Sequence, residues 1–229
     1  MTDVDVFKRQ AAEAALRPVR DGMVLGLGTG STAALMLEAL GRRVAAGLQV
    51  VGIPTSERTA AKAMELGITL VDFSTHPRID LTIDGADEVH TGTLDLIKGL
   101  GGALLREKIV AVASARMTVI VDAGKLVTEL GQRVRLPVEV VAFGWQATMA
   151  AVARTGVEPL LRTGPDGAPF RTDGGNLILD CLLAYTPHPA QLQARLKAIT
   201  GVVETGLFIG LATTVIAGTA DGLQMLERS

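Results

Sequence analysis

Apolar positions recur every three to four residues over 4–16, with Val4, Phe7, Ala11, Ala14 and Ala15 on one side, and this spacing predicts a helix. The pattern then changes. Residues 23–28 (MVLGLG) form a short continuous apolar run closed by glycines, as in a strand buried on both faces. A second helical pattern starts near Ser31 and is expected to stop at Gly41. The run 48–53 reads as the next strand, and Pro54-Thr55-Ser56 separates it from a helix over 57–66 that Gly67 is placed to close. Strands over 68–73 and 80–87, a helix over 103–113 and a strand over 118–123 follow. Strands alternating with helices across short loops predict a doubly wound parallel α/β sheet, Rossmann-like in layout.

The alternation breaks after about Gly131. A strand over 135–143 and a helix over 145–155 come first, and Gly156 ends that helix. Strands over 157–163 and 176–183 flank the turn-rich GPDGAP and DGG; a helix over 188–199 and a strand over 201–208 complete the set. Strand, helix, strand, strand, helix, strand is the order of a small ferredoxin-like α+β domain. The run 213–219 (TTVIAGT) again resembles a strand of the first sheet, so the small domain reads as an insertion. The expected division is a Rossmann-like domain over 1–130 and 209–229 and a small α+β domain over 131–208.

Composition narrows the class of protein more than its function. Lysine and arginine total 22 against 24 acidic residues, a net charge of -2, which gives no electrostatic reason to expect a nucleic acid. No apolar run approaches the roughly 20 residues needed to span a bilayer, so no membrane partner is expected. The acidic, amphipathic start is unlike a signal peptide. Cys181, alone in the apolar run NLILDCLL, reads as a small buried hydrophobe and fits a reducing compartment, so a cytoplasmic location is expected. Hydrophobic residues make up 48%, supplied mainly by small and aliphatic side chains, which suggests close-packed layers and a buried subunit interface.

Three segments carry candidate chemistry. The first, Gly26 to Thr32 (GLGTGST), joins a strand to a helix, where backbone amides and the helix dipole face an anion. Thr29, Ser31 and Thr32 add hydroxyl donors around Gly30. The segment also fits G-x-G-x-x-A, but a dinucleotide site needs an acidic residue ending the second strand, and Thr55 and Ser56 stand there instead. A phosphate monoester is the preferred ligand. The second segment, Asp80 to Val89, sends a strand into Asp84-Gly85-Ala86-Asp87 at the carboxyl end of a parallel sheet, where ligands bind. Carboxylates there suit sugar hydroxyls or magnesium, and equally a solvated Asx turn. His76, His90 and His188 form no ligand spacing, so no metal is expected. The third segment is KGLGGALLREK, in which Lys98 precedes Gly99, Gly101 and Gly102 at the start of a helix. By spacing alone, Arg106-Glu107-Lys108 is a solvated helix face.

Taken in order, GTGST, IPTSERT, DGADEV, KGLGGALLREK, VDAGK, LPVEVV, TDGGNLILD and GVVETGLF resemble the type A ribose-5-phosphate isomerase family over nearly the whole chain. The resemblance implies interconversion of ribose 5-phosphate and ribulose 5-phosphate, in the non-oxidative pentose phosphate pathway, without cofactor or metal. It implies that Thr29, Gly30, Ser31 and Thr32 hold the phosphate end, that Asp84, Gly85, Ala86 and Asp87 form a substrate loop, and that Lys98, Gly99, Leu100 and Gly101 form another. Leu100 stands where the family often has glycine or arginine. Glu107 matches the proton acceptor, Lys125 matches a lysine that contacts substrate, and Lys8 matches a basic residue near the phosphate. Catalytic roles are thus expected for Glu107, Asp84, Asp87 and Lys98, in a homodimer or homotetramer. Amino-sugar phosphate deaminases, CoA transferases and non-catalytic sugar-phosphate sensors are the alternatives. The sensors usually carry a helix-turn-helix, for which no room precedes the strand at Met23.

Overall fold

The computed structural model describes residues 3–183 and 188–228, so the few remaining positions of the expected domain ranges lie outside the description. In chain order the elements are α1 (Asp3–Ala15), β1 (Val24–Leu27), α2 (Ser31–Ala45), β2 (Val51–Pro54), α3 (Glu57–Glu65), β3 (Thr69–Leu70), β4 (Leu81–Asp84), β5 (Glu88–His90), β6 (Leu96–Ile97) and α4 (Leu104–Val112). Then come β7 (Met117–Asp122), a 3-10 turn over Ala123–Lys125, β8 (Leu126–Val127), β9 (Leu136–Val140), α5 (Trp145–Ala153), β10 (Glu158–Leu161) and β11 (Leu177–Leu182). The last are α6 (Pro189–Lys197), β12 (Val202–Thr205), β13 (Leu207–Phe208), β14 (Thr214–Thr219) and β15 (Gly222–Glu227).

Two compact units divide this chain, the first made of 1–86, 106–126 and 210–229 and the second of 87–105 and 127–209. The second unit therefore takes in 87–105 as well as the region expected for the small domain. In the first unit a seven-stranded sheet has the order β15-β14-β7-β4-β1-β2-β3, parallel except for the β14–β15 hairpin at one edge. The chain moves one way from β1 to β3 and the other way from β4 to β14, which puts the reversal of strand order between β1 and β4. Ligands of open parallel sheets bind at that reversal, beyond the strands' carboxyl ends. The core on this side includes Leu25, Leu27, Met36, Leu37, Leu40, Leu81 and Ile83, with the alanine-rich face of α1 (Ala11, Ala12, Ala14, Ala15) packed on it. Full burial of a leucine or isoleucine contributes about 1.5–3 kcal/mol.

The second unit contains the expected β-α-β-β-α-β order in β9, α5, β10, β11, α6 and β12, and its antiparallel sheet runs β10-β11-β9-β12. Leu136, Val138, Val140, Leu177, Leu179 and Cys181 form its core with Leu192 and Leu196 of α6. A further small sheet, β13-β6-β5-β8, lies outside the pattern that periodicity predicted, because its strands have only two or three residues each.

Three expectations need correction. The helix expected to end at Gly41 continues to Ala45; Gly41 is a packing position, since a Cβ there would lie 2.9 Å from Leu66 Cβ. The strand expected over 68–73 shrinks to Thr69–Leu70. The strand expected over 201–208 breaks at Gly206 into β12 and β13, which belong to different sheets. The cause is a close approach, because a Cβ on Gly206 would meet the Lys98 carbonyl oxygen at 2.2 Å.

Burial sets two titrations in the second unit. It pushes the Cys181 thiol up to about 12, with Asp180 acting in the same direction. At pH 8 Cys181 is expected to resist a thiol-specific reagent in native protein and to react stoichiometrically once denatured; rapid labelling of the native protein would contradict this. Glu139 accepts hydrogen bonds from Thr172 Oγ1 and Asn176 Nδ2, each 2.9 Å. Desolvation outweighs them and holds its carboxyl above the ordinary value of 4.5, with Glu204 adding to the rise. A raised carboxyl binds its proton more tightly folded than unfolded, so its stabilising contribution is complete below about pH 4.5 and is lost as pH rises through the raised value. Melting curves of Glu139→Gln should therefore gain on those of the parent chain from pH 4 to pH 8; a constant difference would contradict the assignment.

Candidate active site

The glycine-rich turn after β1 begins with a steric requirement. A Cβ on Gly28 would lie 2.2 Å from Asp84 Oδ1 and 2.5 Å from Asp84 Cα, so only glycine lets β1 and β4 end side by side. Asp84, the last residue of β4, is 0% exposed. Its Oδ1 accepts the backbone N–H groups of Thr29 at 3.0 Å and Gly85 at 2.7 Å, which fixes one orientation of the carboxylate. A buried carboxylate needs such charge-assisted bonds to offset lost hydration.

Thr29 is buried in a hydroxyl cluster. Its Oγ1 lies 2.7 Å from Thr55 Oγ1, 2.8 Å from Ser56 Oγ and 3.0 Å from Thr59 Oγ1. Thr55 donates to the Leu27 carbonyl and Thr59 to the Gly28 carbonyl, both at 3.0 Å. Ser56 also caps α3 by accepting the Thr59 N–H. The hydroxyls that stand where a dinucleotide fold would place an acid thus brace the turn after β1. Gly30 precedes α2 with φ 120 and offers no side-chain cap to the helix. Ser31 is exposed, Thr32 is buried, and Lys8 Nζ donates to Ser31 Oγ at 3.1 Å.

Beside this turn, in the same unit, lies a cavity of about 350 Å³ lined by Gly28, Gly30, Ser31, Arg58, Thr59 and Lys62 among others. Arg58, Thr59 and Lys62 were absent from the sequence expectation. The available signal was the four-residue spacing of Arg58 and Lys62, which puts both cations on one face of α3.

Glu107 lies in the first turn of α4 and is 4% exposed, with Lys108 8% exposed. The solvated-face reading of Arg106-Glu107-Lys108 therefore fails for two of its three members. Arg106 alone behaves as a surface cation, pairing with the exposed Glu57 at 2.6 Å. Lys125 is half-buried in the 3-10 turn that follows β7, a turn shaped by Asp122, whose Oδ1 accepts the Gly124 N–H at 3.1 Å.

Of the remaining expected residues, Gly85 and Ala86 belong to the first unit and the others to the second. Lys98 follows β6 and is 2% exposed. Its N–H donates to the Gly206 carbonyl at 2.9 Å, and Gly206 in turn donates to the Pro137 carbonyl at 2.7 Å. Its ammonium stands 5.6 Å from the centroid of the buried Phe208 ring, a distance at which a cation is attracted to the ring face. Gly99 and Gly102 both have left-handed backbone, φ 107 and φ 82, closed by a Gly102 N–H to Gly99 carbonyl bond of 3.0 Å. The half-buried Asp87 accepts the Leu100 N–H through Oδ2 at 2.9 Å. Gly85 and Ala86 link Asp84 to Asp87 along the chain, both half-buried, whereas Leu100 and Gly101 are exposed. The structure thus joins Thr29 to Asp84 directly in one unit, and Asp87 to Leu100 in the other.

Comparison with known proteins gives a consistent result. Residues 51–222 match the family model described as ribose 5-phosphate isomerase A (phosphoriboisomerase A). Ribose-5-phosphate isomerase A of Gloeobacter violaceus is 56% identical over 99% of this chain and 98% of its own length. The solved ribose 5-phosphate isomerase A of Methanocaldococcus jannaschii is 39% identical, with a TM-score of 0.94 over 98% of this chain and 99% of that one. A solved D-ribose-5-phosphate isomerase in complex with phospho-erythronic acid is 38% identical, with a TM-score of 0.96 over 99% of this chain and 100% of that one.

The Gly28 contact carries a prediction. Gly28→Ala should lose about 1–3 kcal/mol of stability, the usual cost of overpacking, because the new methyl meets backbone as well as carboxylate. Urea unfolding checks it, and an unchanged midpoint would contradict the close approach.

Proposed function

This chain belongs to the ribose 5-phosphate isomerase A family, and from that premise we propose that it interconverts D-ribose 5-phosphate and D-ribulose 5-phosphate with Glu107 as the base. The isomerisation moves a proton between C1 and C2 of the open-chain sugar through an enediolate. A carbon acid next to a carbonyl is weak, so the reaction needs a placed base and stabilisation of the developing oxyanion. Glu107 takes the proton from one carbon and returns it to the other, while the hydroxyl proton passes between the C1 and C2 oxygens. The burial of Glu107 supports that role, because a base shielded from water keeps the abstracted proton from exchanging away.

The other roles follow from charge and placement. Lys98, a buried cation, stabilises the negative oxygen of the enediolate. Asp84 and Asp87 accept the sugar hydroxyls and assist opening of the furanose ring. The Thr29–Thr32 turn, Lys125 and Lys8 take the phosphate, so that binding energy far from the reacting carbons orients them. The burial of Asp84, Lys98 and Glu107, at 0%, 2% and 4% exposure, is the observation that carries this assignment of roles. Ionisable groups are costly to bury, so three of them buried in segments that resemble the family's substrate loops and base favour working roles. The ligand of the solved relative supports the reaction rather than the individual roles, since a phosphorylated aldonic acid carries a planar two-oxygen anion resembling an enediolate, and a phosphate.

The chain contains no described helix long and apolar enough to cross a membrane. With its single buried cysteine, it fits a cytoplasmic enzyme of the non-oxidative pentose phosphate pathway that needs neither cofactor nor metal. Exposed Phe143, Leu160 and Leu182 in the second unit suit burial in a homodimer or homotetramer.

Incubation with ribose 5-phosphate, followed by detection of ribulose 5-phosphate, tests the activity; no product from the folded chain would exclude it. Glu107→Gln should reduce turnover about 100- to 10,000-fold, the usual contribution of a general base, while binding phospho-erythronic acid within a few-fold of the parent chain. Near-normal turnover in that variant would remove Glu107 as the base and leave the activity standing.

A further inference from the structure

Arg162, the residue after β10, has a role that the reaction scheme does not yet use. Its guanidinium meets Asp180 of β11 through two parallel contacts, Nε to Oδ2 at 2.8 Å and Nη2 to Oδ1 at 2.5 Å. The two side chains are only 12% and 18% exposed, so this is a partly desolvated, bidentate pair rather than a surface one. The guanidinium's remaining nitrogen, Nη1, donates to the carbonyl oxygens of Gly99 at 3.1 Å and Leu100 at 3.0 Å. Its carbon lies 5.7 Å from the centroid of the Phe170 ring. That ring closes on Gly102, where a Cβ would sit 2.5 Å from Phe170 Cζ, and the Phe170 N–H donates back to the Arg162 carbonyl at 2.9 Å. All of these residues belong to one unit.

The Leu100 residue is therefore gripped from both ends, its N–H by Asp87 and its carbonyl by Arg162. Glycine-rich backbone in left-handed conformation has many alternatives, and fixing it is entropically costly without such contacts. A planar fork that grips a carboxylate with two nitrogens and two carbonyls with a third is within the geometry of arginine and beyond that of lysine. We propose that Arg162, oriented by Asp180, is the positioning residue that holds the Lys98–Gly101 loop in its working conformation and, through the Leu100 amide, sets the orientation of the Asp87 carboxylate. Arg162 touches no substrate in this scheme; it acts through the loop. The proposal rests on the reading of Asp87 and Lys98 as working groups in ribose 5-phosphate isomerisation.

Turnover of ribose 5-phosphate by the full chain, Arg162→Ala, Arg162→Lys and Asp180→Asn tests it, with circular dichroism and melting curves on each. Misplacement of working groups by about 1 Å costs up to roughly 100-fold. Arg162→Ala is expected to lose about 10- to 100-fold in kcat with KM changed less than about threefold, while its folded fraction matches the parent's. Arg162→Lys should remain well below the parent despite its retained charge, and Asp180→Asn should show the same kcat-weighted defect. Low millimolar guanidinium should restore part of the kcat of Arg162→Ala, whereas methylammonium should not. A purely structural residue would instead lose activity in step with the folded fraction and show no guanidinium rescue, and that result overturns the proposal. Parental kcat in Arg162→Ala overturns it as well; where that variant does not fold, parental kcat in folded Arg162→Lys does so. Absence of turnover in the parent chain overturns the activity reading and this proposal together, so the two failures are distinguishable.

Discussion

A carboxylate with no exposed surface has to be satisfied by the fold, and Asp84 imposes that condition at the middle of the seven-stranded sheet. Its Oδ1 is met by the N–H groups of Thr29 and Gly85, so one side chain ties the end of β1 to the end of β4. The tie only closes if β1 leaves the sheet without a Cβ at position 28. Once closed, it fixes where α2 starts and delivers the Thr29–Thr32 turn to the point where strand order reverses. The hydroxyls of Thr55, Ser56 and Thr59 then fill the space on the far side of Thr29, and α3 is capped in the same step. The turn after β1 and the Asp84 carboxylate are consequently one construction, and neither can shift alone.

The second unit reaches a comparable end by a different route. There the backbone itself brings Lys98 into place: β9 accepts the Gly206 N–H through Pro137, and Gly206 accepts the Lys98 N–H. The lysine enters the core against Phe208 with its main chain already paired, so burial of its ammonium has to be offset only at the side chain.

How much of this could be read from the chain depended on how local the cause was. The parallel sheet and the split β-α-β unit were legible, because every strand of the two sheets except β3 has at least four residues and turn residues separate the elements. The Asp84 position was legible too, as an acid closing an apolar run. The division of 201–208 was not, since the stretch reads as one β-prone run and the cause of the break is the Lys98 carbonyl, distant in sequence. Gly41 misled for a related reason: glycine signals a helix end locally, but here it makes room for Leu66. The burial of Glu107 was invisible in Arg-Glu-Lys; only the order of motifs along the whole chain pointed to it.

A motif is also not a single functional object, and DGADEV makes the point. Asp84 and Asp87 carry groups that the proposed chemistry uses, whereas Glu88, next in line, is 0% exposed and turned to another task. Its carboxylate accepts the N–H groups of Gly131 at 2.6 Å, Arg133 at 2.5 Å and Val134 at 3.1 Å. Those three amides belong to an irregular segment just before β9 that has no ladder to satisfy it. Glu88 therefore substitutes for a missing strand. One six-residue stretch thus holds two carboxylates that the proposed chemistry uses and, right after them, the acid that organises the entry to β9. Its tight spacing follows from the fold, because the chain passes from the end of β4 into β5 within three residues and has to do both jobs on the way.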